Sequence, residues 1–249
     1  MGKFEDEHRV AFAREFRMAR AQALRDAEAF DQILFALERL GSYLTHKQKD
    51  LGYYKDALSK IAKESHLCSE AADRFPQYHL QFDVLYEEAR VARNDAMHQG
   101  AAARHLARHA QELALAMEDA LMNGARTAGD FMVPNPICAE RWQPLSAVRR
   151  TMLVNAFSFL PFRSKASRWQ LVSDQELVKF TRVAKEERDY RLLMTLEEAL
   201  DDDLKAVDAT TCAVSDPLPV VIEEMKERPC LVLSKDGALV GIITAFDLL

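Results

Sequence analysis

Apolar residues recur every three or four positions through the first half of the chain. Leu24, Ala27, Phe30, Ile33, Leu34, Leu37, Leu40 and Leu44 keep that spacing, which gathers them on one face of a helix. The pattern predicts helix over 4–44, in one or two pieces, and a second helix over 51–66. Pro76 interrupts the pattern. A third helix is predicted over 80–98. Gln99-Gly100 is its stop, because glycine is favoured just past a helix end. A fourth runs over 101–122 with Leu106, Ala110, Leu113, Met117 and Leu121 as its apolar stripe. Helices with such short connections pack as an up-and-down bundle.

The pattern changes near Ala128. Phe157–Phe162 and Trp169–Ser173 read as strands, with a helix seeded at Pro144–Val148 before them and another from Asp174 after them. An acidic polar stretch follows. The same order then returns: helix over Pro217–Met225, strand over Cys230–Leu233, an Asp236-Gly237 turn, and strand over Ala238–Thr244. An Asp-Gly pair between apolar runs is a strong hairpin signal. The order of elements predicts an internal repeat of about 60 to 70 residues. The expected division is a helical domain over 1–124, a short linker over 123–127, and an α/β domain over 128–249. The two halves of the latter fall at about 128–185 and 206–249.

Composition narrows the classes. Of 249 residues, 49% are hydrophobic and 29% charged, so two folded domains are affordable and disorder is not indicated. The net charge of −6 is not that of a bulk nucleic-acid binder, although a local basic patch depends on nearby charges only. The four cysteines show no CxxC spacing, which points to free thiols in a reducing compartment. There is no apolar run long enough for a membrane span, and MGKFEDEHRV is no signal core. Asp6 stands where myristoylation wants Ser or Thr. A cytoplasmic location without membrane contact is expected.

The segment PCLVLSKDGALVGIITAFDLL resembles the core of a CBS motif. FMVPNPICAERWQPLSAVRRTMLVNAFSFLPF, followed by WQLVSDQEL, resembles a degenerate partner. The resemblance covers 128–249 and implies a CBS-pair (Bateman-type) module whose clefts take adenosine-containing ligands such as AMP or ATP. Carried onto this sequence, Gly241 permits close backbone approach. Thr244 offers a hydroxyl to a phosphate, and Asp247 offers two oxygens to the ribose hydroxyls. The matching positions of the first motif are Gln170, Ser173 and Glu176. Gln170 in place of glycine leaves one good nucleotide site expected, centred on Thr244 and Asp247. The same Thr and Asp also suit a helix cap.

Arg93-Asn94-Asp95-Ala96-Met97-His98 closes a predicted helix and is followed by Gly100 and another amphipathic helix. The run resembles the R-x4-H signature of HEPN domains, helical bundles that are often homodimeric and in many cases metal-independent ribonucleases. Asn94 and His98 lie one turn apart on one helical face. Arg93 lies about 140° from His98, at about 100° per residue, within reach of its long side chain. A histidine near neutral pKa serves as general acid or base, and an arginine clamps phosphate and stabilises developing charge. The resemblance implies RNA cleavage by the neighbouring 2′-hydroxyl to a 2′,3′-cyclic phosphate, with no catalytic cofactor and two copies meeting at one cleft. Arg90, Arg104 and Arg108 are the candidate RNA-facing patch.

His105 and His109 share the one-turn spacing that suits zinc, but the Glu of an HExxH helix is missing, and no metal is expected. Asp201-Asp202-Asp203 reads as a solvated acidic turn. Two function classes emerge. One is a ribonuclease controlled by a nucleotide-sensing CBS pair, with a defence or stress toxin role by analogy. The other is a non-catalytic regulatory adaptor that dimerises through both domains.

Overall fold

The structure is a computed structural model and describes residues 4–96 and 103–249. The chain divides into two compact units, Met1–Ala125 and Arg126–Leu249.

The first unit is helical. Its elements are α1 (Asp6–Arg25), a 3-10 turn at Ala27–Phe30, α2 (Asp31–Thr45), α3 (Leu51–Ala62), α4 (Glu70–Arg74), α5 (Phe82–Ala96) and α6 (Ala103–Met122). The stripe on α1 buries Val10, Ala13, Phe16, Ala19 and Ala23, and that on α2 buries Ile33, Leu34, Leu37 and Leu40. They meet Tyr54, Leu58, Tyr86, Leu113, Met117 and Leu121 in one core. His46 ends α2 in the left-handed conformation, and Asp50 caps α3 by accepting from the Tyr53 amide at 3.0 Å. The expected 51–66 helix stops at Ala62. Ser65 is fully buried there and its hydroxyl donates to Asp119 on α6 at 2.7 Å.

A buried carboxylate on α6 joins two arginines of α1, with Arg17 at 3.6 Å the looser partner. Arg20 on α1 donates through Nε and Nη2 to the two oxygens of Glu118 on α6, at 2.7 and 3.1 Å. Glu118 is only 5% exposed. A fork of this kind fixes how two helices face each other, since neither charge tolerates burial alone.

The second unit is a pair of interlocked halves. The first half comprises α7 (Ala128–Phe131), β1 (Val133–Pro134), α8 (Leu145–Asn155), β2 (Phe159–Arg163), β3 (Trp169–Ser173) and α9 (Asp174–Thr181). A connecting helix α10 (Lys185–Leu193) follows. The second half comprises α11 (Leu196–Asp202), β4 (Val207–Asp208), β5 (Thr210–Ala213), α12 (Leu218–Met225), β6 (Cys230–Leu233), β7 (Leu239–Ile243) and a closing 3-10 turn, Ala245–Leu248. One sheet runs β1-β7-β6-β5 and the other β2-β3-β4. Each half therefore lends a short strand to the other's sheet: β1 pairs with β7, and β4 with β3.

The exchange extends to the leading helices. Thr127 bridges Pro217, and Thr195 bridges Pro144. The Leu218 amide donates to Arg126 at 2.9 Å and that of Leu145 to Met194 at 2.8 Å. Ala128 donates to Asp216 and Leu196 to Gln143, at 2.9 and 2.8 Å. The two sets of bonds correspond one to one, so an internal two-fold relates the halves. Thr127 and Thr195 each open their helix with a capping box, closed by Asp130 and Glu198.

Three expectations need correction. Arg126 and Thr127 are not linker, because both bond into the second unit. The acidic stretch, given no element in the sequence reading, forms α10 and α11, whose exposed end carries Asp201 paired with Lys165 at 2.8 Å. The second half begins with the cap at Thr195, upstream of 206. Among the described residues, no helix is long and apolar enough to cross a membrane.

Candidate functional site

The hairpin registers locate the nucleotide candidates. Leu160 faces Val172 across β2 and β3, and Cys230 faces Ile243 across β6 and β7. Further along, Val232 faces Gly241 but Leu233 faces Leu239, so Val240 is an extra residue bulged out of β7. Its carbonyl accepts from the Asn135 amide at 3.1 Å. With the bulge counted, Gln170 corresponds to Gly241, Ser173 to Thr244, and Glu176 to Asp247.

Thr244 ends β7 and caps the closing turn with extended backbone angles. One oxygen of Asp247, Oδ2, accepts both the Thr244 amide at 2.8 Å and the Thr244 hydroxyl at 2.7 Å. The arrangement is the capping use of this Thr-x-x-Asp pair. The first half carries a different network. The Ser173 hydroxyl accepts from the Glu176 amide at 3.1 Å, and the Glu176 carboxylate takes the Lys179 ammonium at 2.5 Å. The Gln170 side chain donates to Asp208 at 2.9 Å. Glu176 is thus already neutralised within its own half.

Gly241 has a use that the sequence reading missed. A Cβ there would lie 2.5 Å from the sulfur and 2.8 Å from the Cβ of Met132. Glycine makes room for the first half's β1 approach, with Pro134 opposite it in register. The signal was present in Met132-Val133-Pro134, but sequence alone does not reveal which strand it joins.

A second cluster lies in the same sheet. Cys230 on β6 is fully buried, and half-buried Cys212 on β5 packs against the same small core. The neighbouring Cys230 thiol holds Cys212 below the usual thiol range against the opposing effect of burial. That contact and burial push Cys230 up. Both residues sit under α12 with Val221 and Met225.

In the helical unit, Arg93 and Asn94 fall near the end of the α5 backbone, their side chains outside the described set, and His98 lies outside the described residues. The side chain of Arg104 on α6 is likewise outside it. Arg90 pairs with Glu87 at 2.9 Å and Arg108 with Glu112 at 3.0 Å. Glu87 also takes Lys55 at 3.0 Å, and these contacts hold its carboxyl below the usual range. Two of the three proposed RNA-facing cations therefore carry acidic partners one helical turn away. His109 lies 3.9 Å from Glu88. Among the described residues, no group of three or more His, Cys, Asp or Glu is placed to hold a metal.

Residues 202–249, which contain Thr244 and Asp247, match the CBS domain family. The C-terminal unit contains a CBS domain. Its first half repeats the same order of elements and the same bridges between halves, which gives the unit the CBS-pair fold. Similar solved structures include a CBS-domain-containing protein of unknown function from Bacillus anthracis, at 16% identity and a TM-score of 0.41 over 49% of this chain and 88% of that one. Another is a CBS-domain-containing protein from Agrobacterium tumefaciens, at 15% identity and a TM-score of 0.40 over 51% and 93%. A third is CBSX2 in complex with AMP, at 21% identity and a TM-score of 0.37 over 49% and 92%. No curated protein matches the sequence.

Proposed function

We propose that this protein is a nucleotide-responsive regulator whose CBS pair takes one adenosine-containing ligand at Thr244 and Asp247. The observation that carries the reading is the asymmetry between equivalent positions. Asp247 caps the strand end of the family-matched half through Thr244, while its counterpart Glu176 pairs with the Lys179 ammonium. A ribose diol suits a carboxylate because each hydroxyl donates one hydrogen bond to an oxygen. Those hydroxyls compete with Thr244 for Oδ2. Losing the cap costs about 1 kcal/mol, so ligand contacts must exceed a roughly fivefold penalty in affinity. The ligand regulates the helical unit only if it binds one of its arrangements better than another.

Calorimetric titration of the full chain with AMP and with ATP tests this. Binding of one ligand per chain is expected, lost in Asp247→Ala and retained in Glu176→Ala. Equal binding by both variants, or no binding by the wild type, would overturn the reading.

A second reading concerns the output. Arg93, Asn94 and His98 keep the spacing of the HEPN signature, with Arg93 and Asn94 on α5 of a helical unit. It makes the helical unit a metal-independent ribonuclease. Cleavage of a mixed RNA pool in EDTA by the wild type and not by His98→Ala, leaving cyclic-phosphate ends, would support it. Equal results for both proteins, with and without nucleotide, would leave the adaptor role.

A further inference from the structure

Four sulfur-bearing side chains share one small core in the second unit. Cys230 on β6, Met225 on α12, and the part-buried Cys212 on β5 and Met132 just ahead of β1 all belong to it. The register places them on one side of the sheet. Cys212 stands opposite Val232, two residues along β6 from Cys230, and Gly241 stands opposite the same Val232 on β7. Alternate residues of a strand face the same way, so Cys212, Cys230 and the space over Gly241 lie on one face. The Met132 sulfur fills that space, 2.5 Å from where a Cβ on Gly241 would sit. The cysteines lie far apart in sequence, and motif spacing does not pair them; the parallel strands do.

The first half is an internal control. Ala139 precedes Pro144 by five residues, as Cys212 precedes Pro217. Leu160 pairs with Val172 as Cys230 pairs with Ile243. Ala206 stands ahead of β4 as Met132 stands ahead of β1. Only Met225 has a sulfur counterpart, Met152. The equivalent core is thus built with aliphatic residues at the other three positions, so packing does not account for the sulfur.

Two neighbouring thiols can join in a disulfide or share an ion, and the strands decide between these. Adjacent strands lie about 4.8 Å apart with a rise of about 3.3 Å per residue, so an offset of two residues sets the Cα atoms roughly 8 Å apart. A disulfide does not close beyond about 7 Å unless the backbone moves. A metal bonded to each sulfur at about 2.3 Å spans up to about 4.6 Å between them. The Cys230 thiol also lowers Cys212, as a close sulfur neighbour does.

The donors select the ion. Thiolates and thioethers are soft ligands that favour Cu(I). Structural zinc takes four ligands from Cys, His, Asp and Glu. Among the described residues no third group of that kind joins the two cysteines. Half-buried Cys212 gives an ion its way in, with Cys230 closed off behind it.

We propose that the second unit binds one Cu(I) ion between Cys212 and Cys230, with Met132 and Met225 supplying further soft sulfur around it. Each thiol gives its proton to solvent as its sulfur bonds the ion, so two thiolates meet one positive charge. None of the four residues is among the nucleotide candidates, so this site and the Thr244 site stand or fall separately.

Anaerobic titration of the reduced full chain with Cu(I) supplied as its bicinchoninate complex tests the proposal. The wild type should take one Cu(I) per chain from the dye, and a double variant carrying Cys68→Ser and Cys138→Ser should do the same. Cys212→Ala should lower the affinity by at least about tenfold. The first half already carries alanine at the equivalent position, so this variant should keep the wild-type tryptophan fluorescence. X-ray absorption of the loaded chain should give a shell of sulfur alone, and equimolar zinc should not displace the copper. Copper left with the dye would overturn the proposal. So would unchanged capture by Cys212→Ala, nitrogen or oxygen in the shell, or displacement by zinc.

Discussion

Asp247 and Thr244 are joined twice through a single carboxylate oxygen, once to the amide and once to the hydroxyl. The same geometry recurs at Asp130 and Thr127 and at Glu198 and Thr195. A capped turn is thus a repeated device of this unit, and at Asp247 it occupies the position expected to meet a ligand.

Gly241→Ala should destabilise the second unit by about 1–3 kcal/mol, because the added methyl overlaps the Cβ and Cγ of Met132, which rotation of the side-chain end does not relieve. Both tryptophans, Trp142 and Trp169, lie in this unit, so their fluorescence follows it during urea unfolding. In a Met132→Ala background the penalty of Gly241→Ala should shrink to well under half. Additive effects would mean that the contact is not the cause.

Thr195→Ala should lower the melting temperature of the same unit, since it removes one side of the capping box that starts α11. The loss should depend on pH. Hydrogen bonds from the Thr195 amide and hydroxyl hold the Glu198 carboxyl below its ordinary range. A depressed carboxyl stabilises the fold above its unfolded value and loses that contribution as pH falls through the lower, folded value. The melting temperatures of wild type and variant should therefore converge in acid. A constant difference from neutral pH to acid would exclude the carboxylate's part.

How much of this was legible before the structure differs by feature. The second hairpin announced itself in Asp236-Gly237, because Gly237 adopts a positive φ of 77° that few other residues accept. The first hairpin puts Ser167 at a φ of 57° in the equivalent turn, with no such marker. The helix at 196–202 had a readable capping box, Thr195-x-x-Glu198, but its acidic composition masked it. The bulge at Val240 leaves no trace in hydrophobic alternation, yet without it Thr244 and Ser173 fall out of correspondence. The alignment of Gly241, Thr244 and Asp247 with Gln170, Ser173 and Glu176 came from motif order, and the register has the same correspondence. The role of Gly241 depended on a strand from the other half, which local pattern does not encode.

Cys212 should be the first cysteine alkylated by iodoacetamide at pH 7.5. Thiolate is the reactive form, and the neighbouring Cys230 thiol lowers Cys212 while the other three are raised. Cys68 is pushed up to about 11 by burial and by Asp119. Peptide mass spectrometry over a time course should give Cys212 a clear lead. Faster labelling of Cys68 would show that access and not ionisation governs the order.

Glu118→Ala should cost the helical unit about 2 kcal/mol, because half-buried Arg20 and Arg17 would lose the carboxylate they share. Hydrogen exchange of peptides from α1 to α6 follows this unit, which has no tryptophan. Replacing Arg20 and Glu118 together by apolar residues should recover much of the loss. A single variant within 1 kcal/mol of wild type would show the pair to be dispensable.

The strand exchange between halves sets the order in which the second unit comes into being. Residues 126–181 leave the ribosome with β3 lacking its neighbour and the start of α8 without its bridge, since Val207, Asp208 and Thr195 are still to be made. The later half in turn closes on Thr127 and β1, made long before. Neither half is a folding unit, and the contacts that complete both span large sequence separations. Such contacts are slow to form, and a bare strand edge invites wrong partners meanwhile. The helical unit ahead of it buries its own core from its own residues and has no such wait.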